Sequence, residues 1–163
     1  VTGWSVVVVQ KGFSLIEVII VVALVGVLAT GALPRIADTL ANQELQTAAV
    51  NLAADIRSMQ QLAMNANGDN SPLYTLRFSR DEHGSYYIIH NGRHAIKTVY
   101  LSRFVQVTGE PDYIMFSNKG APRRGQKIEL KSIRHRYFLY IYIAGATGRV
   151  RVSANGNTDE KDY

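Results

Sequence analysis

From Phe13 to Leu33 the chain carries a single charge, Glu17, in a run that passes through Val18, Ile19, Val22, Leu24, Val27 and Leu28 and ends at Leu33-Pro34. As a helix, about 20 residues rising about 1.5 Å each span the hydrocarbon core of a bilayer. A carboxylate inside such a segment costs about 2.5–3.5 kcal/mol on insertion scales, so it calls for a partner or a task. A secretory signal peptide would open with charge and close on a small-residue cleavage site. Here Lys11-Gly12 stands ahead of the apolar run instead. A membrane span accounts for the length and accommodates Gly26 and Gly31. A signal anchor and a buried core helix stay open on hydropathy alone, but neither gives Glu17 a purpose.

The segment Lys11-Gly12-Phe13-Ser14-Leu15-Ile16-Glu17-Val18 closely resembles the processing site of type IV prepilins and of pseudopilins from type II secretion and competence systems. The resemblance implies cleavage between Gly12 and Phe13 by a prepilin peptidase, N-methylation of Phe13, and retention of the apolar segment. It also implies that Glu17, then fifth in the mature chain, meets the terminal amine of a neighbouring subunit. An opposite charge of that kind is what makes a carboxylate tolerable in lipid. Pro34 falls where many pilin helices carry a proline.

Beyond the span, Ile36, Leu40, Leu45, Ala48, Ala49, Leu52, Ile56, Met59 and Ala63 recur at three- and four-residue steps. This spacing predicts an amphipathic helix, with Asp38, Glu44, Asp55 and Arg57 largely off its apolar stripe. Asn65 to Pro72 reads as a stop and loop. Short β patterns follow: Leu73–Phe78 and Ser85–His90 around a turn ending in Gly84, then Ala95–Tyr100, Arg103–Val107, Tyr113–Phe116, Lys127–Leu130, Tyr137–Ile143 and Arg149–Val152. In the seventh, Phe138, Tyr140 and Tyr142 share one face, and Leu139, Ile141 and Ile143 the other. The expected fold is α+β, a long helix covering the apolar face of an antiparallel sheet. The expected organisation is a cleaved leader over 1–12, a membrane and filament-core helix over 13–34, and an amphipathic helix over 35–67. A β-rich domain over 68–154 and an acidic, frayed tail over 155–163 complete it.

Enzymatic chemistry finds no constellation. The chain has no cysteine, so disulfides and thiolate metal sites are excluded. His83, His90, His94 and His135 do not fall at metal-binding spacings; His90 and His94 lie in a strand–turn context rather than on one helix face. Neither a nucleophile elbow nor a phosphate-binding loop occurs. No catalysis, metal, cofactor or small-molecule substrate is expected.

The net charge of +5 is concentrated late in the chain, in Lys119, Arg123, Arg124, Lys127, Lys131, Arg134, His135 and Arg136, then Arg149 and Arg151. The bland account is a solvated edge whose cations block sheet addition. The sharper one is phosphate binding through arginine forks. Phe116 to Gly120, Gly125 to Leu130 and Gly145 to Val152 are similar to the GspH/FimT family of minor pilins and pseudopilins. That family has an F-x-x-x-G turn and a G-R-x-R segment, matched here by Gly148, Arg149 and Arg151. This resemblance implies DNA as a candidate partner, with Arg149 and Arg151 as its first candidates and Arg123, Arg124 and Lys127 beside them. The acidic tail, with Asp159, Glu160 and Asp162, would weaken such a site by folding back on it.

Taken together these resemblances imply a minor pilin or pseudopilin in the cytoplasmic membrane, its domain outside the cytoplasm, assembling with like subunits into a filament. The alternative is a pseudopilin of a type II secretion system, whose partner is protein.

Overall fold

The computed structural model describes residues 12–66, 74–109, 113–134 and 136–156. Most of the expected leader, the loop beyond Ala66, His135 and the acidic residues of the tail lie outside the described residues. A helix, α1, runs from Leu15 to Asn65 and continues through Pro34. Two compact units divide the chain, residues 1–37 and 38–163.

In the first unit α1 is long and apolar enough to cross a membrane. From Leu15 to Leu28 its large apolar side chains each leave more than half of their surface uncovered. In water that arrangement would be strongly unfavourable, because each buried Val, Leu or Ile side chain contributes about 1.5–3 kcal/mol. In lipid, or among like helices, the same surface is satisfied.

The second unit combines the remainder of α1 with eight strands in two antiparallel sheets. One sheet holds β1 (Tyr74–Asp81), β2 (Gly84–Asn91), β3 (His94–Tyr100) and β5 (Ile114–Met115), in the order β3-β2-β1-β5. The other holds β4 (Val105–Thr108), β6 (Gln126–Ser132), β7 (Phe138–Ile143) and β8 (Val150–Ser153), in the order β4-β6-β7-β8. The sequence pattern predicts these strands closely but not their division between two sheets. That division arises because β4 pairs with β6 rather than with β3, while β5 returns to β1.

One apolar cluster joins helix and sheets. Leu45, Ala49, Leu52, Ala53, Ile56 and Met59 are fully buried against Leu76, Tyr87 and Ile114 of the first sheet and Ile128, Leu130, Ile141 and Ile143 of the second. The helical stripe follows its expected course from Leu45 to Ala63 and departs from it only ahead of Leu45. Leu40 is 45% exposed and Ile36, ahead of the second unit, is 62% exposed, whereas Ala41 and Ala53 are buried. Alanines suit a helix lying close to two sheets, since a small side chain allows near approach at no cost in helix propensity.

The charged residues off the stripe fasten the flanks of the helix. Arg134 Nε lies 3.2 Å from Asp38 Oδ1, and Ser102 donates its hydroxyl to Glu44. Lys97 Nζ lies 2.6 Å from Asp55 Oδ1, and the Tyr87 hydroxyl donates to Asp55 Oδ2 at 2.6 Å. Arg57 donates to the carbonyl of Val150 at 2.9 Å, occupying a backbone acceptor on edge strand β8.

Candidate functional site

At the start of the described chain, Gly12, Phe13 and Ser14 precede the helix, and Glu17 falls in its first turn. Val18 N–H donates to the Ser14 carbonyl at 3.2 Å, which closes that turn. Phe13 is 82% exposed, and a β-carbon added at Gly12 would meet nothing within 4 Å. The Gly12–Phe13 bond therefore sits in non-helical backbone, with open surroundings among the described residues. Glu17 lies four residues after Phe13, in the turn that opens at Ser14.

The two glycine motifs of the second half meet in space. Phe116 is buried and bridges to Pro122, which folds residues 117–121 into a turn where Gly120 adopts φ +77°. Between β7 and β8, Gly148 adopts φ +68° and donates its N–H to the Ala144 carbonyl at 2.8 Å. A β-carbon on Gly148 would overlap the carbonyl oxygen of Gly120 and the side chain of Gln60. One on Gly145 would come within 2.8 Å of the Gly125 nitrogen. The two turns thus pack backbone against backbone, and the glycine of G-R-x-R is structural.

The candidate cations separate into two groups. Arg149 lies in the turn just ahead of β8, its N–H bonded to Thr147 Oγ1 at 3.3 Å and its carbonyl accepting from Ala144 N–H at 3.0 Å. Arg123 and Arg124 belong to the neighbouring loop. With Tyr113, Met115 and Gln126 they line a cleft of about 260 Å³, where Arg123 donates to the Tyr113 hydroxyl at 3.2 Å. Arg151 instead lies within β8 opposite Tyr142, and Lys127 lies within β6 opposite Tyr142 from the other side. Sequence reasoning missed Arg57, which reaches the backbone between Arg149 and Arg151. The contact joins residues far apart in the chain, so no spacing could have announced it.

Electrostatic perturbation is concentrated elsewhere, in the first sheet. Burial, reinforced by the hydrogen bond to Asp55, pushes the Tyr87 hydroxyl far above the usual phenol range. At the β1–β2 turn the Tyr100 phenol is raised by its bond to the Asp81 carboxylate. Desolvation raises Asp81, but bonds from the His83 N–H and the Tyr100 hydroxyl outweigh it and hold that carboxyl below its ordinary value. Among the described residues no group of three or more His, Cys, Asp or Glu side chains could hold a metal ion.

Comparison with known proteins bears on the first of these regions. Residues 9–33 match the family model described as the prokaryotic N-terminal methylation motif. No curated protein and no solved structure matches the chain. A methylation motif leading into an apolar helix of membrane-spanning length supports a type IV pilin-like family and a membrane-anchored structural subunit.

Proposed function

We propose that the chain is a minor pilin or pseudopilin, cut between Gly12 and Phe13, methylated at Phe13, and assembled into a filament through Glu17. The observation that carries this reading is the lone carboxylate of Glu17, four residues after Phe13 and in the first turn of α1, in a motif whose family model describes N-terminal methylation. After cleavage the new amine and this carboxylate give every subunit one charge of each sign in an apolar setting. Pairing between neighbours neutralises both and fixes their axial register. Mass spectrometry of the mature protein is the test. A terminus at N-methylphenylalanine is expected; an intact leader, or loss of the whole apolar segment, would overturn the reading.

In this proposal the domain faces outward and contacts DNA during uptake through the Arg149 loop, with Arg123 and Arg124 adjacent. The close approach of Gly145 to the backbone of Gly125 and Arg124 supports it, because it holds the Arg123–Arg124 loop against the turn that carries Arg149. Arg149→Ala should weaken DNA binding by the full-length protein and reduce its salt dependence; unchanged affinity and slope would reduce the arginine to surface decoration.

A second reading, a type II secretion pseudopilin with a protein partner, draws on edge strand β3. There Ile96 and Tyr100 are half exposed, and Tyr100 lines a groove of about 230 Å³ together with Glu44, Thr47 and Ser102. An edge strand of this kind is suited to strand addition.

A further inference from the structure

The outward side of the second sheet carries a row of rings. Leu139, Ile141 and Ile143 of β7 enter the core, so Phe138, Tyr140 and Tyr142 line the opposite face, where Phe138 and Tyr140 are half-buried and Tyr142 is buried. Phe138 and Tyr140 are stacked with ring centres 6.4 Å apart and planes 14° from parallel, and Tyr142 follows at 6.2 Å. Cations flank the row on both sides. On β6, Lys131 is opposite Phe138 and Lys127 opposite Tyr142; on β8, Arg151 is opposite Tyr142. Lys127 Nζ lies 4.5 Å from the Tyr140 ring centre, Lys131 Nζ 5.8 Å from that of Phe138, and Arg151 Cζ 5.8 Å from that of Tyr142. Glu129, the carboxylate on the same face, is engaged by the Thr108 hydroxyl at 2.8 Å. The chain itself already uses one end of this surface. Lys127 donates to the Gly156 carbonyl and the Tyr142 hydroxyl to the Asn155 carbonyl, both at 3.2 Å. Gly156 lies so near Tyr140 that a β-carbon there would come within 2.8 Å of the ring.

We propose that this face binds single-stranded nucleic acid, with bases against Phe138 and Tyr140 and phosphates on Lys127, Lys131 and Arg151, displacing the contacts that Asn155 and Gly156 make at its edge. Rings in series with interleaved cations suit unpaired strands, because a duplex offers phosphates but hides the faces of its bases. The proposal rests on the nucleic-acid reading for its ligand class, but it puts the contact on the sheet rather than on the Arg149 turn.

Fluorescence anisotropy with the full-length protein in detergent micelles tests it, using a labelled oligothymidylate of about 20 nucleotides and a duplex of the same length. Tighter binding of the oligothymidylate is expected. Tyr140→Ala should weaken it about tenfold, while Tyr140→Phe, which keeps the ring, should retain it. Lys127→Ala and Arg151→Ala should each lower the salt slope by about 0.7. Circular dichroism checks the folding of each variant; should Tyr140→Ala unfold, Phe138→Leu provides the same reading. Loss with Arg149→Ala while a folded Tyr140→Ala binds normally would overturn the platform and leave the arginine turn standing. Loss with Tyr140→Ala alone would support the platform and remove Arg149. Equal affinity for duplex would also overturn the proposal.

Discussion

The side-chain amide of Gln60 donates to the carbonyl oxygen of Gly120 at 2.7 Å, and the same nitrogen lies 3.5 Å from the carbonyl of Thr147. One helical residue thus ties together the turn after Phe116 and the turn before β8. Both turns depend on glycine at positive φ, and each leaves main-chain carbonyls that no strand satisfies. The junction explains why the two glycine-bearing stretches of the second half, so far apart in sequence, form one structural feature.

Gly148→Ala should therefore act on stability first. An alanine there adopts a left-handed backbone at a cost of about 1–3 kcal/mol, and its β-carbon also meets the Gly120 carbonyl. A drop in thermal midpoint is expected, and Gln60→Ala should produce a smaller one, about 1 kcal/mol, by releasing the Gly120 carbonyl. Arg149→Ala, in the same turn, should leave the midpoint nearly unchanged. Stability of Gly148→Ala equal to that of the parent would show that the turns do not need their close approach.

Much of this fold was legible because its strongest signals are periodic. The two-residue alternation of Phe138 to Ile143 and the helical spacing of Leu45, Leu52, Ile56 and Met59 each specify a buried face without reference to anything else. Pairing across sheets is not periodic. That β4 joins β6, and that β5 turns back to β1, depends on where a whole layer closes over the helix. The candidate cations show the same division. Their presence could be read from the chain, but Lys127 and Arg151 are drawn to the Tyr142 rung by strand register while Arg123, Arg124 and Arg149 stay at the turns. Gly148 invites reading as part of a ligand motif, whereas its own environment is entirely backbone and Gln60.

Tyr87 provides an alkaline signature. Its hydroxyl is buried and bonded to Asp55, which Lys97 also grips, so its folded-state pKa lies above the ordinary value of 10.0. Below that value the phenol is protonated in both states and its contribution is fully present. Above it the unfolded chain releases the proton while the folded chain retains it, so stability falls as pH rises. The slope is up to about 1.4 kcal/mol per pH unit for one such group. Denaturant midpoints measured from about pH 9 to about pH 11 should decline, and Tyr87→Phe should flatten the decline while lowering stability at neutral pH by about 1–3 kcal/mol. Tyr100, raised by Asp81, leaves a residual slope. An unchanged slope in Tyr87→Phe would place the alkaline sensitivity elsewhere.

Glu17 has two physical explanations with different consequences. In the first turn of α1 a carboxylate complements the positive end of the helix dipole, worth about 0.3–1 kcal/mol at an exposed site. That is less than the cost of about 2.5–3.5 kcal/mol for a carboxylate within an apolar span, so the dipole alone does not account for it. In the proposed filament, pairing with a neighbour's terminal amine would add the missing stabilisation, and only in the assembled state. Glu17→Ala should therefore leave the protein in the membrane fraction in full amount yet reduce its incorporation into filaments, read by crosslinking and by recovery in sheared material. Glu17→Gln, which keeps the shape but not the charge, should fail similarly, because the amine of the adjacent subunit would still lack a counter-charge. Normal incorporation of both variants would reduce Glu17 to a helix-terminal charge and separate the apolar helix from any docking role.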